Sequence, residues 1–183
     1  MFRNFIFVFL TTKNYPWVRV MNRAQNFRKD IVNYIAPYFR KDKRYILLVC
    51  DMGFGVVDQL KKEFPKRVIN CGIMEQGVVG IAAGMSLSGS IPIVYSIVNF
   101  LVYRAFEQVR NDVILQGLNV KFIATGVNNY FKFLGPSHCC GSDDIKLMKF
   151  INMKVYDPYT SKKPFNKIVD EWISSDKAGY IRV

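Results

Sequence analysis

The polarity pattern along the chain alternates between two kinds of segment. Compact apolar runs at 45–50, 91–96, 120–125, 153–156 and 180–183 have strand length and are apolar at nearly every position. Between them, apolar residues recur at helical spacing over roughly 23–40, 55–63, 75–88, 99–116, 144–150 and 162–175. Continuously apolar strands separated by helices predict an α/β fold, a parallel twisted sheet with helices on both faces. Ligands of such sheets bind beyond the carboxyl ends of the strands. The loops at 51–55, 97–99 and 126–144 are therefore the places to look for chemistry.

Length and composition bound this picture. The chain has 183 residues, half of them hydrophobic, enough for one domain with a real core. No apolar run is long enough to span a bilayer. Phe5 to Leu10 behind Arg3 looks like a stunted signal sequence, but it is short and no small-residue cleavage site follows. Residues 1–20 read better as an extension upstream of a true start at Met21, leaving 21–183 as the domain. The formal charge of +12 is spread through helical stretches such as 23–44, without a ribbon of interleaved basic and aromatic residues. A solvated surface accounts for most of it, and phosphorylated small molecules or an acidic partner subunit account for the rest. No nucleic-acid or membrane partner is expected.

Candidate chemistry narrows by elimination. The four cysteines, Cys50, Cys71, Cys139 and Cys140, lack metal-ligand spacing and fit reduced thiols of a cytoplasmic protein. Gly53-x-Gly55 follows a strand, yet Asp58 stands where the third glycine of a dinucleotide fingerprint belongs. There is no Gly-Lys-Ser/Thr phosphate loop. His138 is the only histidine, so no histidine pair can bind a metal.

One residue resists a bland account. Glu75 lies inside Gly72-Ile73-Met74-Glu75-Gln76-Gly77-Val78-Val79-Gly80-Ile81-Ala82-Ala83-Gly84-Met85, a run that otherwise reads as a buried helix. A carboxylate there is costly unless it is paired, protonated or hydrogen-bonded. Free N–H groups at a helix start could satisfy it. So could a ligand.

Three segments in order carry a resemblance that chooses between these. They are Gly72-Ile73-Met74-Glu75-Gln76 with its glycine- and alanine-rich continuation, Pro92 to Asn111 with Phe100 and Arg104-Ala105-Phe106-Glu107-Gln108, and Gly135-Pro136-Ser137-His138. From about Met21 to Val183 the chain resembles the pyrimidine-binding domain of the transketolase family of thiamine-diphosphate enzymes. The resemblance implies thiamine diphosphate as cofactor and Glu75 as the catalytic carboxylate that shares a proton with the pyrimidine ring, a task suited to a dry site. It implies that Phe100 and Tyr103, three apart on a helix, pack against the pyrimidine, although plain core packing also fits them. Asp51 is similar to a family acid near the thiazolium ring, or is simply a strand-end cap. Arg104 matches a substrate-binding arginine, or is a surface charge. His138 is implied to face the reacting carbon, as a catalytic and substrate-binding group.

The chain also departs from the family. Ser142-Asp143-Asp144 replaces a Glu-Asp pair and is one residue longer, and the loop at 127–134 is bulkier than its glycine-rich counterpart. The Gly-Asp-Gly element that holds Mg2+ in the family's second domain does not occur in these residues, and a third domain is not expected. The resemblance therefore implies half an active site: a subunit needing a separate diphosphate-binding partner, with pyrimidine domains self-associating. The expected activity is transfer of a two-carbon ketol unit between sugars, phosphorylated sugars foremost. The alternatives are decarboxylation of a 2-oxo acid, toward which Arg104 and Tyr95-Ser96 lean, and a non-catalytic paralogue that only docks.

Overall fold

A computed structural model describes residues 27–183. The apolar run at 5–10, the start-site question at Met21 and the beginning of the first expected helix lie outside the described residues. The strands are β1 (Tyr45–Val49), β2 (Val68–Asn70), β3 (Ile91–Ile97), β4 (Lys121–Thr125), β5 (Lys154–Tyr156) and β6 (Gly179–Arg182). They form one sheet in the order β2-β1-β3-β4-β6-β5, with every neighbouring pair parallel. Helices α1 (Arg28–Lys41), α2 (Asp58–Glu63) and α6 (Phe165–Ile173) pack on one face through Ile31, Ile35, Phe39, Leu60, Val169 and Trp172. Helices α3 (Glu75–Leu87) and α5 (Asp143–Phe150) cover the other through Val78, Val79, Ala82 and Met148. Both sheet faces are thus dry, which is why β1, β3 and β4 read as unbroken apolar runs.

Two elements differ from the sequence expectation. Strand β2 has no apolar signal, because only Val68 of its three residues is buried and Lys66-Arg67 precede it at the sheet edge. The helix expected over 99–116 is instead a π-helical turn (Phe100–Arg104), the short helix α4 (Phe106–Gln108) and a second π-helical stretch (Val109–Ile114). Hydrogen bonding from i to i+5 widens each turn. Residues three apart then no longer share a face, and Phe100 aligns with Arg104 instead of Tyr103.

One charged residue is built into the frame. Lys121 opens β4 with no exposed surface, and its Nζ donates to the carbonyls of Ser175 (2.7 Å) and Lys177 (2.6 Å) just beyond α6. Burial pushes its pKa down to about 8.

Candidate active site

Glu75 is the first residue of α3 and is 1% exposed, at the carboxyl end of the sheet. Its Oε1 accepts from Ser96 Oγ of β3 at 3.0 Å, and its Oε2 accepts from Arg104 Nη1 at 2.5 Å. Ser96 is the one small hydroxyl residue on an apolar strand, a signal visible in the sequence. Beside the carboxylate, the thiol of Cys50 is pushed up to about 12, first by burial and then by Glu75 itself. Cys50 is therefore a neutral wall of the site and not a nucleophile.

Arg104 also covers an aromatic ring. Its Cζ lies 4.3 Å from the centroid of Phe100, and the His138 ring meets Phe100 edge-on at 5.0 Å and 76°. Glu75, Arg104, Phe100 and His138 thus form one chain of contacts joining α3, the π-helical turn and the 126–142 loop. The position of His138 follows from its loop. Gly126 has φ +82, and a Cβ there would collide with the Phe131 ring, so glycine lets that ring fold back over the backbone. Gly135 then starts a tight turn in which His138 N–H donates to Gly135 O at 3.0 Å, and Ser137 Oγ shares a 3.0 Å hydrogen bond with His138 Nδ1.

The far end of that loop is anchored by a group that sequence reasoning did not assign. Asp144, fully buried, accepts from Tyr180 Oη (2.9 Å) and from Arg182 Nε (2.7 Å). Arg182 Nη1 also reaches Asp157 at 3.0 Å, and its Nη2 reaches Asn128 Oδ1 at 3.2 Å and Gly141 O at 3.3 Å. Burial opposes the charge of Arg182, and Asp144 followed by Asp157 reverses that and holds its pKa above the ordinary value. Burial, reinforced by Asp144, pushes Tyr180 well up. Asp144 of the Ser142-Asp143-Asp144 segment is thus part of a structural anchor.

Two expected site residues are engaged elsewhere. Tyr103, turned outward by the π-helical geometry, is half exposed and its Oη donates to Asp143 Oδ2 at 3.4 Å, which corrects the expectation that it shares a face with Phe100. Burial, then Asp143, pushes its pKa up to about 12. Asp51 is exposed and follows β1 in a left-handed conformation, its Oδ1 accepting from Asn70 Nδ2 at 2.9 Å. Arg104 is an ion partner of Glu75, a role included in neither expectation for it, as substrate ligand or as loose surface charge.

The donors and walls of this site suit a flat nitrogen heterocycle. A carboxylate has about four lone-pair positions, and Glu75 uses one on each oxygen, so it retains capacity for a ring nitrogen. Phe100 offers an aromatic surface next to it. Of the two side chains bonded to Glu75, only Arg104, 39% exposed, can readily pass to solvent if a ring is to reach the carboxylate. Among the described residues, no group of three or more His, Cys, Asp or Glu could hold a metal ion, and no helix is long and apolar enough to cross a membrane.

A six-stranded parallel sheet with a buried glutamate at the start of the helix after its edge strand defines a pyrimidine-binding domain, and the chain belongs to that family: the model described as "Transketolase, pyrimidine binding domain" matches residues 23–176. Among curated relatives, the 6-deoxy-6-sulfo-D-fructose transketolase subunit SqwH of Clostridium sp. (strain MSTE9) is 30% identical over 158 residues, covering 85% of this chain and 48% of the relative. An apulose-4-phosphate transketolase subunit of Actinobacillus succinogenes is 37% identical over 123 residues, covering 67% of this chain and 39% of the relative. The chain thus spans about half the length, or less, of these relatives. A solved structure described as "Split gene transketolase, inactive beta4 tetramer" superposes with a TM-score of 0.72 at 30% identity, covering 86% of this chain and 50% of the other.

Proposed function

We propose that this chain is the pyrimidine-binding subunit of a split, thiamine-diphosphate-dependent transketolase-like enzyme that moves a two-carbon ketol unit between phosphorylated or similarly anionic sugars. The observation that carries the reading is Glu75, a nearly inaccessible carboxylate held by Ser96 and Arg104 beside the Phe100–His138 pair. When bound, thiamine diphosphate supplies a carbanion-forming thiazolium carbon that accepts and passes on the ketol unit. Glu75 holds a proton against the pyrimidine nitrogen in a site that keeps water from competing for it. Phe100 orients the ring and Asp51 serves the thiazolium side, whereas Tyr103, bonded to Asp143, is not assigned to the cofactor. His138, at the lip, stabilises charge developing on the substrate oxygen. Arg104, once released from Glu75, is free to meet an anionic substrate.

A second polypeptide is proposed to hold the diphosphate and its Mg2+. The support is chemical: a diphosphate needs a metal and several donors, and the sequence has no Gly-Asp-Gly element. The two curated relatives are named as subunits, and the solved relative as an inactive tetramer of one kind of chain. Self-association of pyrimidine domains is proposed to run through α3, whose outer side carries Ile81 and Leu87 exposed and no charge from Gln76 to Ser90. Cytoplasmic location agrees with four free cysteines.

The test is to assay ketol transfer by the purified chain alone and with its diphosphate-binding partner, for wild type and Glu75→Gln. Activity is expected only for the assembled wild type, with Glu75→Gln assembling normally and losing on the order of 100-fold or more. Appreciable turnover by the chain alone would refute the split site. Unchanged turnover in Glu75→Gln would leave only a docking role. Release of carbon dioxide from pyruvate by the complex would replace ketol transfer with decarboxylation.

A further inference from the structure

We propose that Asn70 is a positioning residue that fixes Asp51 relative to Glu75, an inference that rests on the cofactor reading above. Asn70 ends β2, and its single side chain makes three hydrogen bonds to the two loops that carry those acids. Its Oδ1 accepts from the backbone N–H of Asp51 at 3.1 Å and from that of Gly72 at 3.0 Å, while its Nδ2 donates to Asp51 Oδ1 at 2.9 Å. Parallel register sets Asn70 beside Val49, so the chain leaves both strands at the same level and Asn70 stands between the departing segments.

Both segments have unusual backbone where Asn70 holds them. Asp51 has φ +44, a left-handed conformation uncommon for side chains other than glycine and tolerated best by Asp and Asn. Gly72 has φ +75, and a Cβ there would meet nothing within 4 Å, so conformation and not space calls for glycine. From Gly72 the chain closes a short turn, Met74 N–H donating to Gly72 O at 3.0 Å, and α3 begins at Glu75. One oxygen thus anchors the left-handed conformation that presents Asp51 and the turn that launches Glu75.

A role confined to strand pairing does not account for this. Strand β2 is already tied to β1, Leu47 N–H donating to Arg67 O at 2.7 Å and Cys71 N–H to Val49 O at 2.8 Å. The bonds of Asn70 lie beyond those, in the loops. The side chain acts on Asp51 and on the helix start, and it touches no reacting atom itself.

The test pairs two measurements on Asn70→Ala and Asn70→Asp. Amide hydrogen exchange on the full chain reads the clamp, and calorimetric titration of thiamine diphosphate with Mg2+ into the complex with the diphosphate-binding partner reads its consequence. In Asn70→Ala the Asp51 and Gly72 amides are expected to exchange on the order of tenfold faster, with β1 amides unchanged, and cofactor affinity to fall on the order of tenfold. Asn70→Asp retains an acceptor for both amides but sets a carboxylate where Nδ2 met Asp51 Oδ1, so it is expected to restore protection of the Gly72 amide and not the affinity. Wild-type exchange in Asn70→Ala, altered exchange with unaltered affinity, or a Gly72 amide no better protected in Asn70→Asp than in Asn70→Ala would each overturn the proposal. A wild-type complex that fails to bind thiamine diphosphate overturns the cofactor reading and the positioning role with it, while the exchange rates still decide whether the clamp exists.

Discussion

Arg104 reaches from the π-helical turn to Glu75 at the start of α3, placing a guanidinium group against a carboxylate that is only 1% exposed. The same guanidinium lies 4.3 Å above the Phe100 ring. Both contacts depend on the widened turn, which sets Arg104 over Phe100 and points Tyr103 away. A single side chain therefore covers the two groups assigned to the pyrimidine. On the proposed cofactor reading, a ring reaching Glu75 would have to displace Arg104 from it.

Removing the cation should destabilise the chain, because a buried carboxylate would keep only Ser96. Arg104→Met is expected to cost about 1–3 kcal/mol, less than a fully buried pair because the arginine is partly solvated. Glu75→Gln in the same chain should recover most of that loss, since a neutral amide needs no counter-ion. Urea denaturation of the two single variants and the double variant measures the coupling; additive losses would show that the contact is energetically idle.

The Asp144–Arg182 anchor should matter more for stability than any group at the site. Asp144→Asn leaves Arg182, 2% exposed, with Asp157 as its one remaining carboxylate. The expected loss is about 2–4 kcal/mol, or a melting point lower by roughly 10 °C. Calorimetry checks the value, and heightened proteolysis within 126–142 would report the loop coming free.

Lys121 makes stability depend on pH in the alkaline range. The folded chain releases this proton near 8, down from 10.5, so between those values the unfolded chain binds more protons and the lysine's contribution rises with pH. Lys121→Met has no such dependence and also strips a donor from the Ser175 and Lys177 carbonyls. Relative to the variant, the wild type should therefore gain on the order of 2 kcal/mol of stability from pH 8 to pH 10. Denaturation at the two pH values tests the sign; a wild type that loses ground would mean that Lys121 is not held in a site hostile to its charge.

A charge on the outer side of α3 should disrupt self-association without unfolding the chain. Ile81 is 48% exposed, and Ile81→Glu places a carboxylate in the middle of an apolar stretch that also presents Ile73 and Leu87. Sedimentation is expected to show the wild type associating and the variant monomeric, with the same circular dichroism. An unchanged sedimentation profile would move the interface elsewhere.

Much of the fold was legible in the chain because burial on both faces writes itself as continuous apolar runs. That held for β1, β3 and β4, and for most of the helices between them. Strand β2 was not legible: an edge strand of three residues buries one side chain, too few for a pattern. Glu75 stood out since a charge in an apolar helix needs an explanation, and His138 since a lone imidazole followed a glycine-proline turn. Phe100 and Arg104 were named through the family resemblance, but the bonds of Arg104 and Ser96 to Glu75 were not, because those pairings arise between residues 21 and 29 positions apart.

The residue types, the glutamate in its apolar setting and the alternation of strands and helices were determined by sequence alone, through local propensity and the cost of burying charge. Which groups meet was decided only by the tertiary structure. The two π-helical stretches replaced an ordinary helix, and that change of period brought Arg104 and not Tyr103 onto Phe100. Parallel register put Asn70 between two loops, and chain closure brought Arg182 to Asp144 across 38 positions. Such pairings depend on where the backbone carries each side chain in space, a quantity that no linear spacing records.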